Sequence, residues 1–277
     1  MYTVAVVGEE STALTDRLAS RLSRSGTVAV VSALPEDPAP GFEGVAAFRE
    51  AGAAAVVGLG PGGSTIHGPP RNLEEAIDGL APEHEYCLLD GVADARLPTI
   101  VAGEADESAT DDGGVDEPLA TVSRADRADL DELAAVIEGT EPRETLESLV
   151  AEAKRSPRAE RSGAVATFTG RVRAKDSEDD ARTELLEFEK YEGVAEARMD
   201  EICGELAERE GVFEVLMHHR TGVVRDGEDI VFVVVLAGHR EEAFRTVEDG
   251  INRLKDEVPI FKREVTVDEE FWVHDRE

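Results

Sequence analysis

The sequence predicts two domains of different class: an α/β domain on a parallel sheet, then an α+β domain with a mainly antiparallel sheet. Three observations carry this. Strand and helix patterns alternate through the first hundred residues, as parallel strands joined by crossover helices require. After residue 160, runs of strands surround two helical patterns, which is the order of an α+β domain. Between them, residues 104–147 carry 15 acids and 3 bases, a net of −12. The expected boundaries are 1–104 for the first domain, 105–145 for an acidic linker with a short helix, and 146–277 for the second.

In the first domain, residues 2–7 (YTVAVV) read as a buried strand. Leu14, Leu18 and Leu22 recur at i+4 and mark a helix ending near Gly26. Residues 27–32 are a second strand. The run from Ala47 to Gly60 continues the pattern as helix then strand, and 60–70 reads as a loop on its glycines and prolines. Residues 85–90 and 98–102 are two more strands. EADESATDDGGVDE has too little apolar content to bury. ADLDELAAVIEG and ETLESLVAEAKR then read as two short helices.

In the second domain, GAVATFTGRVR at 163–173 alternates as a half-buried strand, and ELLEFEKY at 184–191 is another. Residues 194–207 form an amphipathic helix, and 212–220 a strand. Asp226-Gly227, between two apolar runs, is a hairpin signal. A helix follows from about Glu241 to Asp256, with Ala243, Phe244, Val247, Ile251 and Leu254 on one face and Pro259 beyond its end.

Charge narrows the function. With 61 acids, 29 bases and a net charge of −32, the chain lacks the basic surface that a nucleic-acid partner demands. Only five bases are lysine, all after residue 150. Abundant acids with few lysines fit a halophilic protein, whose self-repulsion is screened by salt. The two cysteines, Cys87 and Cys203, form no CxxC pair, so no cysteine zinc site is expected, and each reads as a small core residue. The start MYTVAVVGEE has no signal-peptide pattern, and the longest apolar strand is far too short to span a bilayer. The expectation is a cytoplasmic protein with no membrane partner, no metal and no resident cofactor.

Two places could carry chemistry. The turn Gly8 to Thr15 lies between strand and helix, where a phosphate-binding P-loop would lie, which makes the first domain P-loop-like. The pattern G-x-x-x-x-G-K-[ST] requires Gly and Lys at 13 and 14. Here they are Ala13 and Leu14, and Glu9 and Glu10 add negative charge, so no ATP or GTP hydrolysis is expected. The second place is a cationic set: Arg171 and Arg173 at a strand end, His239 and Arg240 where the last long helix opens, Lys255 near its end, and Lys262-Arg263 beyond Pro259. Such groups at helix starts and strand ends can hold an anion, and a lysine among other cations can act as base or nucleophile. Two of five lysines within eight residues single out Lys255 and Lys262. His218 and His219 are adjacent in a strand, point to opposite faces, and do not favour one metal site.

GAVATFTGRVR, LEFEKYEG, MHHRTGVVRDGEDIVFVVVLAGHREEAF and LKDEVPIFKRE occur in the order and spacing of the large, catalytic subunit of molybdopterin synthase, which the chain resembles from about Gly163 to Trp272. The first half resembles more loosely the protein B of molybdopterin-guanine dinucleotide biosynthesis, through its strand-loop-helix start, REAGAAAVV and EYCLLDGVADARLPTIV.

The resemblance implies an α/β hammerhead fold for the second domain. It also implies a sulfurtransferase activity. Cyclic pyranopterin monophosphate becomes molybdopterin as two sulfurs arrive from the thiocarboxylate of a ubiquitin-fold carrier ending in Gly-Gly. It implies a homodimer within a heterotetramer and no protein-bound metal. By motif, Lys255 corresponds to the principal catalytic lysine and Lys262 to a second. Arg173, His239 and Arg240 correspond to substrate-binding residues, the His-Arg pair reaching the pocket from the neighbouring subunit. Phe168 and Glu264 correspond to pocket-side positions. Two other readings are a non-catalytic docking or acceptor protein for the carrier, and a molybdenum-cofactor adaptor working through the first domain.

Overall fold

The computed structural model describes the chain apart from residues 33–44, 62, 70, 93, 95, 96, 104–116, 176, 179, 192, 267–269 and 274–277. It divides into two compact units, Met1–Arg143 and Glu144–Glu277.

The first unit opens with β1 (Tyr2–Val7) and α1 (Ser11–Leu22), then β2 (Val28–Ser32) and α2 (Val45–Glu50). Next come β3 (Val56–Gly60), β4 (Gly63–His67), α3 (Leu73–Asp78), β5 (Tyr86–Asp90), β6 (Thr99–Ala102), β7 (Ala120–Val122) and α4 (Leu130–Glu138). Its sheet has the order β2-β5-β1-β6-β7, every pairing parallel. Leu14, Leu18 and Leu22 pack fully buried against Val4, Val6 and Leu88, as the i+4 spacing requires.

Gly8 turns the chain from β1 into α1. Its φ is +106°, and a Cβ there would sit 2.3 Å from the Ala102 carbonyl oxygen. Both the left-handed backbone and the clash penalise any side chain. Gly8→Ala is therefore expected to cost about 3 kcal/mol of first-unit stability, read as a lowered denaturation midpoint with unchanged slope.

Three expectations are corrected here. The strand at 56–60 does not extend the parallel sheet. It pairs antiparallel with β4, and β4 lies inside the segment expected to be a loop. The Gly60-Pro61 turn lets the chain reverse at once, and Ser64, Thr65 and Ile66 supply strand-forming side chains. The helix α3 escaped a period-based reading because it is six residues long. Its signal was the capping box, with Asn72 accepting from the Glu75 N–H and Glu75 from the Asn72 N–H. Finally, residues 117–143 are part of the first unit and not of a connector. β7 adds to the sheet edge, and Leu133, Ala134 and Ile137 of α4 bury into the same core as α1. The acidic run at 104–116 lies outside the described residues.

The second unit contains α5 (Leu146–Arg155), β8 (Ala164–Arg171), β9 (Thr183–Lys190), α6 (Val194–Ala207), β10 (Val212–His219), β11 (Gly222–Arg225), β12 (Asp229–Ala237), α7 (Arg240–Glu257), β13 (Ile260–Thr266) and β14 (Glu270–Val273). The strands form two antiparallel sheets, β10-β12-β8 and β11-β9-β13-β14. Asp226-Gly227 does make the expected turn, with Gly227 at φ +83° and the Glu228 N–H on the Arg225 carbonyl at 3.1 Å. Its flanking strands do not pair with each other. β11 goes to β9 and β12 to β8 and β10. The turn fixes a local reversal, and the nine-residue β12, buried along nearly its whole length, is claimed by the central position of the other sheet.

Helix α7 lays Ala243, Val247, Ile251 and Leu254 into the main core with Ala195, Ile202, Val233 and Val235. Phe244, expected on that apolar face, is instead 66% exposed. At Gly250 the helix comes so close that a Cβ would lie 2.9 Å from Met217 Cε and 3.1 Å from Val233 Cγ1. The other face of β12 packs Phe232, Val234 and Leu236 against Phe213 and α5 through Leu149 and Ala153.

Candidate functional site

Lys255 stands in the last turn of α7, exposed, beside the buried Leu254 that anchors the turn. A cation there is favoured by the carbonyl end of the helix. Val258 is buried, Pro259 ends the helix, and the chain enters β13, on which Lys262 is half-buried. Around Lys255, Arg253 is bonded to both Glu257 and Glu205, and Arg198 reaches Glu257 from α6. These bonds hold the Glu257 carboxyl down to about 2 and clamp α6 to the end of α7.

Lys262 and Glu264 share one face of β13, because alternate strand residues point the same way. Glu264 accepts from the hydroxyl of the buried Thr183. The Thr183 N–H donates to the Ala174 carbonyl at 2.9 Å, and Thr183 lies opposite Thr266. This ties the loop carrying Arg173, which is exposed after β8, to β13. Phe168 sits mid-strand in β8 opposite Val233, half-buried against the main core.

His239 and Arg240 are exposed at the opening of α7. Fifteen residues of helix separate Arg240 from Lys255, about 22 Å at 1.5 Å per residue. Within one chain, Lys262 and Glu264 lie on β13, which Thr183 ties to the loop carrying Arg173; Lys255 precedes β13 in the last turn of α7, and His239 and Arg240 stand at the other end of that helix.

One candidate was not singled out by the sequence. Lys190 lies opposite Ile260 while Lys262 lies opposite Phe188, so the two lysines are diagonal neighbours on one sheet face, about 7–8 Å apart at Cα. The Lys190 side chain is only 8% exposed and its ammonium meets Glu196 at 2.6 Å. Burial pushes the Glu196 carboxyl up, but bonds from Lys190 and the backbone N–H groups of Glu196 and Gly193 outweigh it and hold it below its ordinary range. Its one signal was membership of the five-lysine set; strand register was needed to place it.

The remaining groups fall to structure. His219 is buried edge-on to Phe188, with Nδ1 2.8 Å from the Arg220 carbonyl oxygen, while His218 stacks on Phe232. Burial pushes the Cys87 thiol up to about 11 and the Cys203 thiol to about 12, which makes both unreactive. Among the described residues no cluster of His, Cys, Asp or Glu is placed to hold a metal, and no helix is long and apolar enough to cross a membrane.

At the P-loop position the backbone is turned inward. The Glu10 N–H donates to the Ala102 carbonyl at 3.1 Å and the Ser11 N–H to Gly8 at 3.1 Å. The Glu10 carboxylate accepts from the Ala125 N–H, and the Thr12 hydroxyl bonds Asp90 at 2.9 Å. Leu14, where a phosphate lysine would stand, is fully buried. Titration of the full chain with ATP or GTP in the micromolar range, followed by calorimetry, is expected to give no saturable heat.

The second unit is an α+β domain with Lys255 and Lys262 on either side of the α7–β13 connection and Arg173 on a loop tied to β13. A family model described as MoaE protein matches residues 141–257. The chain is 54% identical over 279 residues to a Haloferax volcanii protein named "Probable molybdopterin synthase", with 100% of both chains covered. It is 39% identical over 115 residues to the molybdopterin synthase catalytic subunit of Yersinia pestis, across 42% of this chain and 75% of that one. Among solved structures, Staphylococcus aureus molybdopterin synthase matches with a TM-score of 0.43 at 32% identity, over 49% of this chain and 93% of that one. Bacillus subtilis MobB matches with a TM-score of 0.41 at 19% identity, over 50% and 100%. The chain belongs to the MoaE family, and its relatives carry the name molybdopterin synthase.

Proposed function

We propose that the second unit is a sulfurtransferase: it converts cyclic pyranopterin monophosphate to molybdopterin with sulfur from the C-terminal thiocarboxylate of a ubiquitin-fold carrier ending in Gly-Gly. The observation that supports this reading is the placement of Lys255 in the last turn of α7, just before β13 with Lys262, and the bonding of the Arg173 loop to β13 through Thr183 and Glu264. Both reactants are anions. Arg173 can hold the cyclic phosphate with charge-assisted bonds. Lys255 can stabilise negative charge as it develops on the acyl or pterin oxygen and can pass a proton there. Lys262, on the sheet beside it, orients the carrier tail.

His239 and Arg240 lie too far along α7 to act in the same chain's pocket. Their contribution requires a second copy that brings its helix opening to this site, so the active form is a homodimer with one carrier per site. Phe168 and Glu264 support the pocket wall, Glu264 by pinning the Arg173 loop through Thr183.

The test is single-turnover conversion of cyclic pyranopterin monophosphate in molar KCl with a thiocarboxylated carrier, molybdopterin being read by the fluorescence of its oxidised derivative. Product in amounts matching the enzyme supports the reading. A folded protein that binds the carrier and yields no product sinks it in favour of a docking role.

A further inference from the structure

Helix α7 meets α6 along a seam of opposite charges. Arg209, just past the end of α6, donates to Asp249 at 2.6 Å. One turn further along α7, Arg253 meets Glu205 at 2.7 Å. One turn further again, Glu257 accepts from Arg198, which also holds Glu201. Successive partners rise along α7 as they fall along α6, so the two helices run antiparallel. Arg253 also reaches along its own helix to Glu257, with Nε at 2.7 Å and Nη2 at 3.1 Å. Arg198, Glu205, Arg253 and Glu257 are therefore one network, in which Arg253 and Glu257 are only 22% and 29% exposed.

An isolated surface pair contributes little, but a network built on two-pronged guanidinium bonds is the exception. Its place on the helix is what matters here. Arg253 and Glu257 stand two residues before and two after Lys255. Two residues turn a helix by about 200°, so both point away from the side that carries Lys255. The network grips the back of the turn whose front bears the amine. Helix ends ordinarily fray, because their last carbonyls have no partner within the helix. A reacting group has to be held to within about 0.5 Å.

We propose that Arg253 and Glu257 are positioning residues for Lys255: tied to α6 through Glu205 and Arg198, they fix the rotation of the last turn of α7 and with it the direction of the Lys255 amine. The inference rests on the sulfurtransferase reading for the part that Lys255 plays. The Arg209–Asp249 pair joins the same helices but lies more than a turn and a half before Lys255, so it holds the seam without holding that turn.

The test compares full chains of wild type, Glu257→Gln and Asp249→Asn. Each variant removes one carboxylate from the same seam and keeps the shape of the side chain. Glu257→Gln is expected to lower the single-turnover rate at saturating pterin and carrier about tenfold, with the half-saturating pterin concentration within about twofold of wild type, as for misplacement without lost binding. Amide hydrogen exchange of residues 254–258 should become about tenfold faster in that variant alone. Asp249→Asn should match wild type in both measurements. Unchanged exchange in Glu257→Gln, faster exchange with an unchanged rate, or an equal loss of rate in Asp249→Asn each overturns the proposal. Absence of product from wild type is instead the failure of the sulfurtransferase reading. Exchange then decides on its own: faster exchange confined to Glu257→Gln supports the grip on this turn, and unchanged exchange overturns it.

Discussion

Lys255→Ala is expected to lower single-turnover product formation by about 10³-fold, the scale of a lost acid-base or charge-stabilising group. The fold should not notice. Lys255 is exposed in the last turn of α7, alanine is the best helix former, and surface changes of this kind stay within about 0.5 kcal/mol. Lys255→Arg separates charge from proton transfer. Arginine keeps the cation but does not deprotonate near neutral pH, so the variant should bind the pterin and still fail to turn over. Wild-type-like rates for Lys255→Ala, with an unchanged thermal midpoint, would remove this lysine from the mechanism.

The second large effect comes from mixing. Arg240→Ala alone should lose most of its activity through a raised KM, because Arg240 is expected to hold the anionic pterin. Mixed with Lys255→Ala, unfolded together and refolded, it should recover activity. In the mixed dimer one site has its own Lys255 and receives Arg240 from the other chain. At random assortment half of the dimers are mixed and each has one intact site, so about one quarter of wild-type activity returns. If Arg240 served its own chain's pocket, mixing would restore nothing. The roughly 22 Å of helix between the two residues is what makes the outcome clear-cut.

Much of the fold could be read from periodicity because the cores are strongly patterned. Leu14, Leu18 and Leu22 named α1, and Ala243, Val247, Ile251 and Leu254 named α7, since each set meets a sheet over its whole length. Phe244 joined that pattern in sequence but not in space; periodicity reports a stripe's centre better than its edge. Asp226-Gly227 announced a turn, yet β11 and β12 separate. A turn is decided by four residues, and sheet membership by partners far along the chain. The site shows the same division. Lysine scarcity drew attention to Lys255 and Lys262, whereas Lys190 became visible only through the pairing of β9 with β13. Thr183, which joins the Arg173 loop to Glu264, had no local signal at all.

The closeness of α7 to its sheet at Gly250 has a consequence for variation. A single methyl group there would press on Met217 and Val233, and a helix that must rise or roll to relieve it carries its last turn along. The position of the Lys255 amine is thus set partly by an atom that is missing about a turn and a half away. In a library that randomises the helix and selects for molybdopterin formation, Asn252 and Glu248, both exposed, should accept nearly anything. Position 250 should return glycine, with alanine surviving only beside a smaller residue at 217.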